Sequence, residues 1–207
     1  MEMQFFYAST SISLAAHIAL DEVGAVYSAC RIDFTQNEQR STGYLSVNPK
    51  GRVPALVTDE GLLTETPAIL DYLAEAHPKA NLLPGSSPFA RAKVLEFNAY
   101  LCSTVHVAHA HKNRGRRWVD DEAALEAIRR QVPQSMLDVC LLIETDLLKG
   151  PWVMGEHYTT CDPYLYAITR WLEGDGVDMT KLPRIAEHRL RMRERPAVAR
   201  LMAETYV

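Results

Sequence analysis

The sequence predicts two domains, a small α/β domain followed by an all-helical domain. From Met3 to Leu83, short segments with the composition of β-strands alternate with segments of helical periodicity, whereas helical periodicity dominates from Pro88 onward. A stretch rich in Pro, Gly and Ser separates the two patterns, and such a stretch cannot continue a helix. We therefore assign residues 1–83 to a first domain, residues 84–89 to a linker and residues 90–207 to a second, all-helical domain.

The predicted order of elements in the first domain is β-α-β followed by β-β-α. Hydroxyl side chains from Ser9 to Ser13 are typical of the start of a helix, and Gly24 is typical of its end. The predicted strands are Met3–Tyr7, Ala29–Asp33, Ala55–Thr58 and Leu62–Thr64, and the last helix is Pro67–His77.

Four helical segments are predicted in the second domain. The second of them contains Pro133, where we expect a bend or an interruption, and the last is split at Pro196. The predicted segments are residues 89–111, residues 121–148, a segment that begins at Thr159 and ends before Gly174, and the stretch from Pro183 onward.

The composition is that of a globular protein with a net negative charge. Of 207 residues 47% are hydrophobic, and the formal net charge of −4 argues against the basic surface that nucleic-acid binding requires. The N-terminus lacks a basic leader, and no segment approaches the ~20 apolar residues that cross a bilayer. The four cysteines are far apart and have no metal-ligand spacing. We expect a cytoplasmic protein with reduced cysteines and neither a nucleic-acid nor a membrane partner.

The segment from Asn48 to Leu56 places Pro54 directly before a predicted strand. In this β-α-β/β-β-α order a proline at that position indicates a cis peptide bond, which turns the backbone of Val53 outward. The Val53 N–H and C=O could then pair with an extended peptide ligand in the manner of an added strand. An ordinary trans turn proline is the alternative reading.

The segment Glu65-Thr66-Pro67 ends a strand and begins a helix. Thr66 is predicted as the N-cap and Pro67 as the first helical residue. The N–H groups at such a helix start can bind a carboxylate, and Glu65 beside them could accept a hydrogen bond from an α-amino group. In the alternative reading Thr66 only caps the helix and Glu65 only interacts with the helix dipole.

Together these segments resemble the glutathione transferases, and they are most similar to the bacterial beta class. The motifs that carry the resemblance span nearly the whole chain: Phe6-Tyr7, Ser13 to Ile18, Asn48 to Leu56, Leu62 to Glu65, Tyr158 to Asp162 and Arg195-Pro196-Ala197. Within them, Thr159 and Asp162 have the spacing of a capping box. The resemblance implies a thioredoxin-like first domain, glutathione as co-substrate, a homodimer, and conjugation of small electrophiles of the kind used in detoxification.

The resemblance also implies which residues bind glutathione. Val53, Glu65 and Thr66 would hold the tripeptide, and the long helix of the second domain adds Ser103, Thr104 and His106. Arg52 could point into the cleft as a substrate contact, with an exposed loop arginine as the alternative reading. With their neighbours, the predicted glutathione-binding set is Ile12, Arg52, Val53, Pro54, Glu65, Thr66, Ser103, Thr104 and His106.

The chain departs from the beta class at three positions. Ile12 stands where the beta class has a cysteine that can form a mixed disulfide, Asn37 stands where it has a lysine, and Ala99 stands where it has an asparagine. A hydroxyl that stabilises the glutathione thiolate is the remaining possibility, because only the thiolate is a competent nucleophile. Ser13 is the first candidate for this catalytic role, and Tyr7 and Ser11 are in reserve; a helix cap and a packed core tyrosine are the alternative readings of Ser13 and Tyr7.

Three histidines lie close together in the long helix. His106 and His109 are spaced to share one side of it, but no carboxylate or cysteine pattern accompanies them, so no metal is predicted. We expect His106 in the cleft, and His109 and His111 near the surface.

The leading functional hypothesis is a glutathione transferase that attacks an electrophilic small molecule with the thiolate of glutathione. A non-catalytic binding or regulatory module of the same fold is the alternative, and the replacements at Ile12, Asn37 and Ala99 favour it. A thiol-disulfide oxidoreductase is disfavoured because no cysteine begins the first helix.

Overall fold

The computed structural model describes residues 3–85 and 87–206 and shows the predicted architecture of a four-stranded sheet domain followed by helices. The sheet has the order β2-β1-β3-β4, in which β1 pairs with β2 in parallel and with β3 antiparallel, and β3 pairs with β4 antiparallel. Its elements are β1 Met3–Tyr7, α1 Ser13–Glu22, β2 Tyr27–Arg31, α2 Thr42–Val47, β3 Ala55–Val57, β4 Leu62–Thr64 and α3 Thr66–Ala76.

Six α-helices follow in the described part of the second half of the chain. They are α4 Pro88–Tyr100, α5 His106–Arg114, α6 Glu122–Leu142, α7 Cys161–Thr169, α8 Pro183–Arg193 and α9 Pro196–Glu204. A π-helical turn, Leu101–Val105, joins α4 to α5, and another, Ile143–Leu147, ends α6. No helix among the described residues is long and apolar enough to cross a membrane.

The predicted element types and their order are confirmed, whereas several boundaries are wrong. The strand β2 begins at Tyr27, two residues before the predicted start, and the short helix α2 was not predicted. Pro133 lies inside α6 without interrupting it, because α6 runs from Glu122 to Leu142. Pro88, which was assigned to the linker, begins α4, with the Ser87 hydroxyl accepting from the Ala90 N–H at 3.4 Å. The division into domains otherwise stays a prediction.

The helix α1 joins the two halves of the molecule. Its residues Leu14, Ala15, Ile18 and Ala19 are fully buried, and α1 packs against α3 of the first domain and α7 of the second. One continuous apolar core therefore runs from the sheet into the helices. At its edge Arg195 donates to both carboxylate oxygens of Glu22, at 2.6 and 2.7 Å. The cleft described below is thus bordered by two layers that pack directly against each other.

The expected capping box before α7 is only half formed. The Asp162 carboxylate accepts from the Thr159 N–H at 2.7 Å, as the pattern requires. The Thr159 hydroxyl, however, accepts from the Cys161 N–H at 3.4 Å instead of from Asp162, and α7 begins at Cys161 instead of Thr159. The other Asp162 oxygen accepts from the Val153 N–H and contacts His188, so this fully buried carboxylate ties three segments together.

Candidate active site

A cleft of about 400 Å³ lies between the sheet domain and α5. The loop before β3 and the start of α3 line it on the side of the sheet domain, and residues of the helical domain line the opposite side. Seven of the nine predicted glutathione-binding residues line it: Ile12, Arg52, Val53, Pro54, Glu65, Thr66 and His106.

The peptide bond between Val53 and Pro54 is cis, which confirms the prediction. The preceding carbonyl, that of Arg52, is already bonded, because it accepts from the Tyr44 hydroxyl at 2.6 Å and from the Asn48 side-chain amide at 2.8 Å. By contrast, no hydrogen bond within residues 3–85 and 87–206 involves the N–H or C=O of Val53. The backbone of Val53 therefore offers one donor and one acceptor beside the cleft.

The start of α3 differs in detail from the prediction. Thr66 is the first helical residue and not the N-cap, and Glu65 occupies the cap position with a positive φ of 71° and without a side-chain cap bond. The Glu65 carboxylate is half exposed and accepts from the Lys50 ammonium at 2.6 Å, while Lys50 also contacts the Thr64 hydroxyl at 2.8 Å. Lys50 belongs to the segment that carried the resemblance but was not predicted as a site residue.

Ser13, predicted as the catalytic hydroxyl, lies outside both this cleft and the one described below. It is fully buried, and its Oγ lies 3.2 Å from the Ala8 carbonyl and 3.4 Å from the Tyr206 hydroxyl. Tyr7 also lies elsewhere, with its ring 5.7 Å from that of Tyr206 and 5.1 Å from that of His17. Neither Ser13 nor Tyr7 lines the clefts among the described residues, so this geometry does not support their predicted catalytic role, which stays a prediction.

Ser11 is the predicted hydroxyl that does border a cleft. It is half buried, it lies 2.6 Å from the Ser13 Oγ, and it accepts from the Ser13 N–H at 3.2 Å. The sequence could not rank Ser11 above Ser13. The two serines are two residues apart, and the backbone turn before α1 decides which hydroxyl points outward.

Two predicted residues of the long helix lie outside the clefts. Ser103 donates to the Ala99 carbonyl one turn earlier, at 2.8 Å, and Thr104 is half buried away from both clefts. This part of the helix contains the π-helical turn Leu101–Val105; Cys102 within it lines the first cleft instead, and His106 directly after it lines the cleft as expected. A uniform α-helical period, which is all the sequence offers, cannot place such a turn.

A second cleft of about 390 Å³ adjoins the first and shares Ile12, Arg52, Val53 and His106 with it. Its other side chains include His109, which was expected near the surface. His109 stacks on Trp171 with the ring centres 4.0 Å apart, and its Nδ1 lies 2.7 Å from a carboxylate oxygen of the buried Asp175. Arg114 and Arg117 also line this cleft, and neither was predicted as a site residue.

Two titratable side chains of the first cleft, His106 and Cys102, have pKa values shifted toward the neutral form. Burial, followed by the nearby positive charges of His109, Arg114, Arg117 and Arg52, lowers the pKa of His106 from 6.5 to about 4. Burial, followed by the negative charge of Glu65, raises the pKa of the Cys102 thiol. Among the described residues, no three His, Cys, Asp or Glu side chains come together as a metal-binding group.

Comparison with known proteins agrees with this geometry. The family description "Glutathione S-transferase, N-terminal domain" matches residues 1–75. The curated protein glutathione S-transferase GstA of Escherichia coli O157:H7 is 33% identical over 199 residues, covering 95% of each chain. This chain belongs to the glutathione S-transferase family.

Two further relatives show the range of the family. The maleylacetoacetate isomerase of Pseudomonas aeruginosa strain PAO1 is 33% identical over 190 residues, covering 89% of this chain and 87% of its own. A glutathione transferase homolog from Sulfitobacter, solved with bound glutathione, is 41% identical and superposes with a TM-score of 0.96 over 100% of this chain and 99% of its own. The predicted fold class, an α/β thioredoxin-like domain followed by an all-helical domain, is confirmed.

Within a glutathione S-transferase the position of Ile12 is significant. Ile12 lines both clefts and directly precedes α1, where the positive end of the helix dipole favours an anion. None of the chain's four cysteines lies at the start of α1, and Cys102, on the opposite wall, is a thiol of raised pKa. A ligand sulfur beside Ile12 would therefore meet a helix N-terminus and the Ser11 hydroxyl, but no thiol at the start of α1.

Proposed function

We propose that this chain conjugates the thiolate of glutathione to an electrophilic small molecule. The observation that carries the proposal is the backbone N–H and C=O of Val53, which have no hydrogen-bond partner within the described part of the chain and lie beside the cleft, next to the start of α3. An extended tripeptide can pair with these two groups as an added strand would. Its γ-glutamyl end would then reach α3, where first-turn N–H groups bind the carboxylate and Glu65 accepts from the α-amino group. Relatives that are named as enzymes or that bind glutathione support this assignment.

In this arrangement the cysteinyl sulfur of glutathione lies near Ile12, and Ser11 is its hydroxyl partner. Ser11 has one hydroxyl hydrogen, which it donates to the Ala8 carbonyl at 2.9 Å in this structure. Ser13 lies 3.2 Å from the same carbonyl and can keep it bonded when Ser11 turns to the sulfur. Ser13 then acts as a positioning residue, since it contacts Ser11 and Tyr206 and not the ligand.

A hydrogen bond of this kind can shift the thiol into its reactive form. A bond to a charged group contributes about 1.5–3 kcal/mol, and lowering a thiol pKa by two units requires about 2.7 kcal/mol. The start of α1 adds a further favourable interaction with the anion. One serine hydroxyl at a helix N-terminus is therefore sufficient for a substantial thiolate population at neutral pH.

The finer assignments belong to the same proposal. The order of the motifs over the whole chain supports a beta-class-like transferase in which Ile12 replaces the usual cysteine. Homodimer formation, a cytoplasmic location and a role in detoxification are further expectations from the family resemblance.

The test is turnover of glutathione with 1-chloro-2,4-dinitrobenzene, followed as formation of the thioether. We expect Ser11→Ala to lower kcat about tenfold or more and to raise the pKa of the bound thiol, because a hydrogen bond to the anion is lost. Ser46→Ala is the control, because the exposed Ser46 hydroxyl donates to the Gly43 carbonyl of α2 and lines neither cleft. Unchanged kcat and thiol pKa in Ser11→Ala would refute the role of Ser11.

The alternative of a non-catalytic module is distinguishable from the transferase. Its support is that two of the three predicted catalytic hydroxyls, those of Ser13 and Tyr7, lie away from the clefts. The enzyme names of relatives 33% identical over most of the chain argue against it. Binding of glutathione in calorimetry without any conjugation or isomerisation would favour the module.

A further inference from the structure

The second cleft is lined by positive and neutral side chains. Three arginines, Arg52, Arg114 and Arg117, face it together with the imidazoles of His106 and His109. No Asp or Glu occurs among its described lining residues. This is a local excess of positive charge in a chain whose formal net charge is −4.

The three arginines form no ion pair with any carboxylate in the described part of the chain. The neighbouring Arg116, one residue from Arg117, points away from the cleft and pairs with Glu122. Burial, and then the positive charges of Arg52 and Arg40, lower the pKa of Arg114. Like charges gathered in a partly enclosed cleft repel one another, so an anionic ligand there would gain more than at an isolated surface arginine.

The cleft also has a planar, apolar side. Trp171 and His109 are stacked at an interplanar angle of 14°, and the Arg114 guanidinium lies 6.0 Å from the centre of the Phe34 ring. With Ile12 and Ala110, these groups make a surface suited to a flat or unsaturated carbon skeleton. A volume of about 390 Å³ is within the range of small-molecule sites.

Glutathione itself cannot account for all three arginines. Arg52 and Arg117 line the first cleft as well and can meet the glycyl carboxylate of glutathione, whereas Arg114 lines only the second cleft. The other carboxylate of glutathione is directed to the start of α3 in the proposed binding mode. Even if the glycyl carboxylate binds both Arg52 and Arg117, Arg114 is left without an anionic partner, and one carboxylate neutralises only one of the three positive charges.

We propose that the second substrate is a carboxylate-bearing electrophile whose carboxylate binds Arg114, assisted by Arg52 or Arg117. This inference rests on the proposed glutathione transferase function. For an aryl chloride of this class, the thiolate sulfur attacks the ring carbon that bears chlorine. The C–S bond forms, the C–Cl bond breaks, chloride leaves with the bonding electrons, and the thiol proton passes to solvent.

The binding experiment uses an unreactive pair, 3,5-dinitrobenzoate and its neutral amide, titrated in the presence of S-methylglutathione. We expect Arg114→Gln to weaken benzoate binding about tenfold and to leave amide binding unchanged, since it removes one charge-assisted hydrogen bond. Arg116→Gln is the matched control and should bind both compounds as the wild type does. Equal benzoate affinity in the wild type and Arg114→Gln would overturn the inference, whether or not the chain shows turnover.

The turnover experiment separates this inference from the proposed function. Its substrates are 4-chloro-3,5-dinitrobenzoate and the corresponding benzamide, each rate being divided by the uncatalysed rate with glutathione. The inference is supported if the wild type prefers the benzoate and this preference falls about tenfold in Arg114→Gln because the KM for the benzoate rises. Turnover of both compounds with no such preference overturns it and leaves the transferase assignment intact. If neither of these compounds nor 1-chloro-2,4-dinitrobenzene is turned over, the transferase assignment itself is overturned.

Discussion

The buried imidazole of His17 should make the stability of this protein fall on acidification. His17 is 3% exposed, its Nδ1 lies 3.1 Å from the Tyr206 hydroxyl, and the rings of Phe5, Tyr7 and Tyr27 surround it. Burial, followed by the positive charge of Arg200, lowers its pKa from 6.5 to about 4. The folded state therefore keeps His17 neutral at pH values where the unfolded chain protonates it.

The direction and the size of the change in the free energy of unfolding follow from proton linkage. Well above pH 6.5 both states hold a neutral imidazole, and the free energy of unfolding is unaffected. As the pH falls through 6.5 the unfolded chain binds more protons than the folded state, so stability falls until the folded pKa near 4 is reached. Between pH 7 and pH 5, the difference between pKa values of 6.5 and about 4 amounts to about 2 kcal/mol. Burial likewise lowers the pKa of His106 to about 4, so His106 adds a second loss of stability on acidification.

The assay is urea unfolding of the wild type and His17→Gln at pH 7 and pH 5. Glutamine can still bond to Tyr206 but cannot take up the proton, so the variant should lose about 2 kcal/mol less than the wild type between the two pH values. Because each protein is compared with itself, any general destabilisation by the substitution cancels. An equal loss in both proteins, or a folded-state NMR titration of His17 centred near 6.5, would refute this reasoning.

Three further substitutions test other buried polar contacts by urea unfolding at pH 7. Tyr206→Phe should cost about 1–3 kcal/mol, because it leaves the buried Nδ1 of His17 without its partner; no loss would mean that a water replaces the hydroxyl. Arg195→Lys should cost about 1–2 kcal/mol, since a lysine cannot donate to both oxygens of Glu22; a stability equal to the wild type would contradict the importance of the two-point contact. Asp162→Asn should cost about 3 kcal/mol, because the fully buried carboxylate accepts from two backbone N–H groups, and a cost below 1 kcal/mol would argue against this.

The fold was predictable because its signals are local and agree with one another. The apolar periodicity of α1, the turn residues of the hairpin and the proline before β3 each predict one element, and their order predicts the domain. The misjudged features are those that depend on packing. Pro133 has the local character of a helix breaker, yet α6 continues through it because packing of the helix outweighs the local preference.

The candidate site was predictable where the backbone forms it and less so where side chains form it. Val53 and the start of α3 follow from a proline and a strand end, which the sequence marks directly. The choice between Ser11 and Ser13 depends on one turn of backbone, and the directions of Cys102 and Ser103 depend on the π-helical turn that contains them. The arginines were missed because a basic run in a sequence does not reveal which members pair with carboxylates.

The resemblance to the beta class implies a lysine at the position of Asn37, and the charges around the clefts bear on that expectation. Asn37 is in a left-handed conformation with φ 57°, and its side chain accepts from Gln39, so it contributes no charge to the cleft. Arg52 and Arg117 supply positive charge where both clefts meet, which is where the glycyl end of an extended glutathione would lie. If Arg52 and Arg117 replace the lysine, neutralising Arg52 should raise the KM for glutathione. Neutralising Arg114, which lines only the second cleft, should raise only the KM for a carboxylate-bearing electrophile. The KM for glutathione and the KM for the electrophile therefore separate the arginine that compensates for Asn37 from the arginine that selects the second substrate.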